Sequence, residues 1–169
     1  MKSLPDYLAP NLRLLFVGIN PGLYSAQQGH YYARRANLFW RGLSQSGLIR
    51  RPLGPADDHR LLDVGIGFTD LVKRPTRGID ALRAEEFETG RRRIRRLIMA
   101  RQPRVVCFTA LQVASVVVGR PHVRPGPMPE TLGRTRLFAL PSPSRRNAAY
   151  PAEKIFEWFR RLREYVGEA

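Results

Sequence analysis

One cysteine, three lysines and three histidines occur in 169 residues, and no apolar run is long enough to cross a bilayer. Each scarcity excludes something. Cys107 alone cannot close an internal disulfide, supply a four-thiolate iron–sulfur cluster or build a cysteine-based zinc site. His59 and His122 fall in polar or proline-rich stretches without ligand spacing, so nothing supports a metal centre. The richest apolar stretch, 105–118, is broken by Thr109, Gln112 and Ser115, short of the roughly 18 residues that a membrane span needs. The opening MKSLPDYLAPNLRLLFVGINPG carries Pro, Asp and Arg where a secretory leader needs an unbroken apolar centre. A soluble cytoplasmic protein with no membrane partner is expected.

What the chain has in excess is positive charge. Lys plus Arg total 29 against 14 acids, a net +15. Such a surplus sets up a positive field that favours a polyanion, and nucleic acid heads the partners it suggests. Only Lys2, Lys73 and Lys154 are lysines, so the charge is carried by guanidinium forks, which suit phosphate oxygens and stack on bases. A GC-rich coding bias would explain arginine replacing lysine, but not the size of the excess. With 43% hydrophobic residues there is material for one core, and a single domain over 1–169 is expected.

Apolar spacing and turn residues divide the chain. LRLLFVGI (12–19) reads as a buried strand stopped by Asn20-Pro21-Gly22. A polar segment runs from Leu23 to Arg35, and 37–48 has helical spacing with Phe39 and Leu43 inward. Residues 61–72, with two glycines, read as irregular or short-strand structure. Phe87, Ile94, Leu97 and Ile98 predict a helix over 83–101 whose Arg91–Arg96 cluster forms a solvated face, with phosphate contact secondary. A strand at 105–108, a short helix at 110–118, a Pro/Gly-rich loop at 119–133 and a strand at 137–140 follow. Residues 152–166 close the pattern as an amphipathic helix with Ile155, Phe156, Phe159 and Leu162 on its apolar side. Alternating strands and helices predict an α/β fold with a parallel sheet covered on both faces.

In open parallel sheets ligands bind beyond the carboxyl ends of the strands. Two unusual loops follow core strands there: Gly18-Ile19-Asn20-Pro21-Gly22 and Leu140-Pro141-Ser142-Pro143-Ser144-Arg145-Arg146. Taken singly, the first is a competent turn, and the second could be an ordinary loop that caps the last helix. Together, and in this order, they are much more specific.

At these residues the chain resembles the uracil-DNA glycosylase superfamily, and within it the mismatch-specific branch that includes the thymine/uracil mismatch glycosylases. GINPG, GHYYARRANLFW, GIGFTDLVKRPT and LPSPSRRNAAYP stand in register from about Leu14 to Pro151. The resemblance implies a three-layer αβα sandwich around a short, mainly parallel sheet. It implies hydrolysis of the N-glycosidic bond of a uracil or related base flipped out of double-stranded DNA, without metal or cofactor, leaving an abasic site.

Cleavage of that bond builds positive charge on the sugar and negative charge on the departing base, so a placed water and hydrogen-bond donors are needed. By resemblance Asn20 positions the water. A neutral amide orients water but hardly accepts a proton, so slow turnover is expected. Asp70, in the middle loop, could stabilise the cationic sugar or deprotonate the water, or it could simply cap a turn. Tyr32 corresponds to the ring on which the base stacks, with simple packing of Tyr31 or Tyr32 against the domain as the alternative. Gly18, Ile19 and His30 are counted with the base pocket, the backbone N–H groups near Ile19 and Asn20 as candidate donors to the base. Gly22 stands where strictly uracil-specific relatives carry a tyrosine that walls off the pyrimidine 5-position, which implies a wide substrate range.

The faster relatives have a histidine before Pro-Ser-Pro, where this chain has Leu140 and so lacks a strong donor to the leaving base. Uracil is therefore expected to leave more readily than thymine. Ser142 and Ser144 suit phosphate oxygens beside the flipped nucleotide, with helix capping as the alternative. Arg146, and with it Arg145, match residues that push into the duplex gap and face the widowed guanine, favouring G·U over A·U. No lysine is placed by motif for Schiff-base chemistry, which argues against strand cleavage. A monomer is expected. Two other classes remain open: a non-catalytic nucleic-acid-binding module on this fold, and a hydrolase of free nucleosides.

Overall fold

The computed structural model describes residues 1–168. Five strands form one sheet: β1 (Leu14–Gly18), β2 (Ile66–Asp70), β3 (Val105–Phe108), β4 (Gly126–Leu132) and β5 (Thr135–Ala139). Their spatial order is β2-β1-β3-β5-β4, parallel except that β4 runs antiparallel to β5. The helices are α1 (Leu23–Gln28), α2 (Phe39–Ser46), α3 (Ala84–Arg101), α4 (Leu111–Val118) and α5 (Ala152–Glu168), with a 3₁₀ segment over Pro55–Val64. Among the described residues no helix is long and apolar enough to cross a membrane.

Pleating of the central strands explains the three layers. Every residue of β1, β2 and β3 is buried; β1 (LLFVG) and β3 (VVCF) are continuous apolar runs where a one-sided sheet would alternate polar and apolar, while β2 (IGFTD) ends on the buried polar residues Thr69 and Asp70. Successive side chains point to opposite faces. Leu14, Phe16, Val105, Cys107 and Phe138 join the cluster that also holds Phe39 and Leu43 of α2 and Phe159 and Leu162 of α5. Leu15, Val17, Val106, Phe108 and Leu137 join the opposite cluster with Ile94 and Ile98 of α3 and Val113 and Val117 of α4. The expected αβα sandwich is the architecture found, and the helical faces predicted from α3 and α5 are the faces that pack.

Three elements differ from the sequence expectation. The Pro/Gly-rich stretch expected to be a loop contains β4. Pro127 and Pro129 lack donors and are exposed on it, which an edge strand tolerates because one of its sides pairs with nothing. The segment after Gly22 contains α1, only six residues long and closed by Gly29 with φ +79°, too short and polar for periodicity to reveal. Residues 66–70 form a fully buried strand, so Asp70 is the last residue of β2 rather than part of a loop.

From β1 the chain moves outward to β2, and then returns across β1 to β3. Connections therefore diverge at the carboxyl ends of β1 and β3, which is where an open α/β sheet leaves a crevice.

Candidate active site

A cavity of about 210 Å³ occupies that crevice, with Ile19, Asn20, Gly22, Tyr32, Asp70, Ser142 and Ser144 in its wall. Seven of the residues anticipated from sequence thus meet in one place. β1 and β2 pair with Gly18 opposite Asp70, so strand register alone sets Asp70 beside the Gly18–Gly22 loop. A Cβ on Gly18 would fall 2.6 Å from Asp70 Oδ1 and 3.1 Å from the Tyr32 hydroxyl. Glycine is needed there for space, because the Asp70 and Tyr32 side chains fill what would be its side-chain volume. Gly18→Ala is expected to destabilise the fold by about 1–3 kcal/mol, read from denaturant midpoints, since a buried carboxylate and a ring must both yield.

The Asn20 carboxamide is held from one end. Its Nδ2 donates to the Arg74 carbonyl at 2.8 Å and to Thr76 Oγ1 at 2.8 Å, while no described residue donates to Oδ1. These bonds decide the amide orientation and leave the oxygen to accept from something else. The supporting segment is itself fastened: Arg74 clasps Glu86 at 2.7 and 2.9 Å, a contact that lowers the Glu86 carboxyl to about 2. At Gly22 an added Cβ would meet no described atom within 4 Å, so the position borders open space.

Asp70 is 3% exposed. Burial raises its carboxyl from an ordinary 3.8 to about 7; Lys73 opposes the rise, Asp6 adds to it, and Arg93 opposes it weakly. Among the described residues its buried Oδ2 has no hydrogen-bond partner; it lies 3.9 Å from Lys73 Nζ. An orphaned carboxylate oxygen is costly unless something else, such as substrate or water, uses it.

Tyr32 packs on Phe39 with ring centroids 4.0 Å apart and planes at 17°, and its hydroxyl shares a 2.8 Å hydrogen bond with Thr109 Oγ1. Its backbone is left-handed, φ +52°. The preceding Tyr31 also borders the cavity but is buried against Phe68, its hydroxyl donating to the Pro5 carbonyl at 2.8 Å, so Tyr31 packs the loop as well. His30 departs from the expectation: it is not in the cavity wall, and its Nδ1 faces Asp58 Oδ1 at 3.2 Å. Asp58, fully buried, also accepts from the Tyr31 and His59 backbone N–H groups at 3.0 and 2.7 Å, so this carboxylate anchors the tyrosine loop and draws His30 away.

On the second loop both serine hydroxyls accept backbone N–H groups, Ser142 from Ser144 at 3.3 Å and Ser144 from Arg146 at 3.2 Å. Each keeps its own proton free to donate. The loop is tied to α2 by Leu38 N–H donating to the Pro143 carbonyl at 2.9 Å. Arg145 and Arg146 are exposed outside the cavity; Arg145 Nε donates to the Ala36 carbonyl at 3.2 Å. Leu140 is fully buried and offers the cavity no donor.

The wall also includes Thr109, Arg34 and Asn37, which sequence reasoning missed. Thr109 follows the last residue of β3, so its position after a core strand was the available signal. Arg93, read as part of a solvated face, turns inward to donate to the Asp70 carbonyl and to Asp6 Oδ2, and so braces α3 against the end of β2. Among the described residues no group of three or more His, Cys, Asp or Glu side chains is arranged to hold a metal ion.

The family model of the uracil DNA glycosylase superfamily matches residues 5–166. The chain belongs to that superfamily. It is also similar in fold to the solution NMR structure of a candidate uracil DNA glycosylase from Methanosarcina acetivorans, at 19% sequence identity and a TM-score of 0.58, over 96% of this chain and 98% of that one. Membership of the superfamily supports a role as a DNA glycosylase acting on uracil, a hydrolase of N-glycosidic bonds.

Proposed function

We propose that this uracil-DNA glycosylase superfamily member is a monofunctional enzyme of the mismatch-specific branch, hydrolysing the N-glycosidic bond of uracil flipped out of double-stranded DNA opposite guanine. The observation that carries the reading is the single cavity wall shared by the tethered amide of Asn20, the orphaned carboxylate of Asp70 and the ring of Tyr32. The base stacks on Tyr32, the Asn20 Oδ1 accepts a hydrogen bond from the attacking water, and Asp70 takes a proton from that water as its oxygen bonds to the sugar C1′ and the C1′–N bond breaks. The base leaves with the bonding electron pair.

A carboxyl near 7 is half ionised at neutral pH, which suits a general base. The missing leaving-group donor at Leu140 leaves the chemistry dependent on the base's own acidity, so uracil and electron-poor pyrimidines are released ahead of thymine. Open space beyond Gly22 admits 5-substituted pyrimidines. Ser142 and Ser144 donate to phosphate oxygens, and Arg146 enters the gap left by the flipped nucleotide, where extrusion is least costly at a mispair.

A panel of duplexes carrying U, T and 5-substituted pyrimidines opposite G and A, treated with alkali after incubation, tests the proposal. Scission should be fastest at G·U and absent without alkali. No scission at any uracil would leave a binding module; release from free deoxyuridine indifferent to salt would leave a nucleoside hydrolase. Duplex affinity should fall steeply with salt through counterion release. Tyr32→Ala should lose about 1–3 kcal/mol of binding to the flipped base, seen as a raised KM for every pyrimidine alike.

A further inference from the structure

Three donors converge on Asp6, which lies near the start of the chain and remote in sequence from the rest of the site. Lys73 Nζ reaches its Oδ1 at 2.8 Å, Thr69 Oγ1 donates to the same oxygen at 2.7 Å, and Arg93 approaches Oδ2 at 3.4 Å. The local fold sets this up. Tyr7 and Phe68 exchange backbone hydrogen bonds of 2.9 and 3.0 Å, an isolated antiparallel bridge that lays residues 6 and 7 along the outer edge of β2. Gly67 permits the approach, because a Cβ there would fall 2.4 Å from the Tyr7 carbonyl oxygen.

Lys73 stands between two carboxylates. It is hydrogen-bonded to Asp6 at 2.8 Å but sits 3.9 Å from Asp70 Oδ2, which has no hydrogen-bond partner among the described residues. The ammonium also contacts the Tyr31 hydroxyl at 3.2 Å. We propose that Asp6 is a positioning residue that holds the Lys73 ammonium back from Asp70 and so keeps Asp70 able to take a proton from the attacking water. This rests on the reading of Asp70 as the base.

The charged and titratable groups that bear on Asp70 agree with that role. Lys73 and Arg93 favour its ionised form and Asp6 opposes it, while burial is the largest influence. Tyr31 and Tyr32 face the same region, and burial raises both phenols, so neither carries charge near neutral pH. An ammonium fully paired with Asp70 would make a weaker base of it and occupy the oxygen that the water needs.

The test is the pH profile of single-turnover uracil release, paired with a carbon-13 NMR titration of the Asp70 carboxyl in the full-length protein. Asp6→Asn keeps the shape and still accepts from Thr69, but weakens the hold on Lys73. Its profile and its carboxyl titration should both move down by about one pH unit, with a plateau rate several-fold lower. Lys73→Gln should move both midpoints up by a similar amount, and serves alone if Asp6→Asn does not fold. A merely structural role would lower the rate and leave the midpoints in place. If the wild-type profile has an Asp70-dependent limb that neither variant moves, the role of Asp6 is overturned; if the wild type has no such limb, the base assignment itself fails.

Discussion

Asn20→Ala is expected to lower single-turnover release of uracil by about 100- to 1,000-fold, with little change in duplex affinity. The size follows from what the carboxamide does in the proposed mechanism. It does not titrate, so its contribution is to hold a water in line with the bond, and that geometry matters only once the bond begins to break. The two 2.8 Å bonds at Nδ2 fix which atom faces the cavity, and without them the amide could rotate and present a donor to the water. Thr76→Val, which removes one of those bonds, should therefore give a smaller loss in the same direction. A fall of less than tenfold in Asn20→Ala, measured with enzyme in excess over a G·U duplex, would remove Asn20 from the chemistry.

Asp70→Asn is expected to slow the reaction by about 100-fold and to stabilise the protein at the same time. Burial raises the Asp70 carboxyl from 3.8 to about 7, so the native state holds a proton that the unfolded chain has released between those values. Native stability therefore falls as pH climbs through this window, and the loss is complete above about 7. Asparagine has no proton to lose. Urea titrations at pH 5 and pH 8 should show the variant gaining most at pH 8, by an amount on the order of a few kcal/mol. The rising acid limb of the pH–rate profile should disappear with it. A variant as fast as the parent would end the claim that Asp70 shares catalysis, and a pH-independent stability difference would contradict the buried, proton-binding carboxyl. Both outcomes together would mean that Asp70 trades stability for reactivity, as functional sites commonly do.

Much of the fold could be read from residue order because the central strands are buried on both faces. Continuous runs such as LLFVG and VVCF suit no other environment in a chain of this kind, and α3 and α5 display their apolar faces at helical spacing. β4 escaped because an edge strand rich in proline has the composition of a loop, and what makes it a strand is pairing with β5. The cavity was half legible. Asn20, Gly22, Tyr32 and Ser142 lie in short loops directly after core strands or in motifs that mark them. Thr109 directly follows β3 and Thr76 ends the GIGFTDLVKRPT segment, yet neither is marked by residue type, and each matters through a hydrogen bond to a residue far away in sequence. His30 sits in a motif segment, yet its partner is a buried aspartate below the loop.

The sequence by itself determined that this chain would bury a parallel sheet between helices, carry a large positive charge, and end two core strands in polar, turn-rich loops. Those are properties of composition and local spacing, and each residue contributes to them wherever its neighbours lie. Only the tertiary structure decided that Asp70 ends a strand opposite Gly18, that Asp6 shares Lys73 with it, and that Arg93 turns inward. Such facts depend on strand register and on burial in a medium of low polarity. There, the same carboxylate becomes an anchor, a paired ion or a base according to which donors reach it.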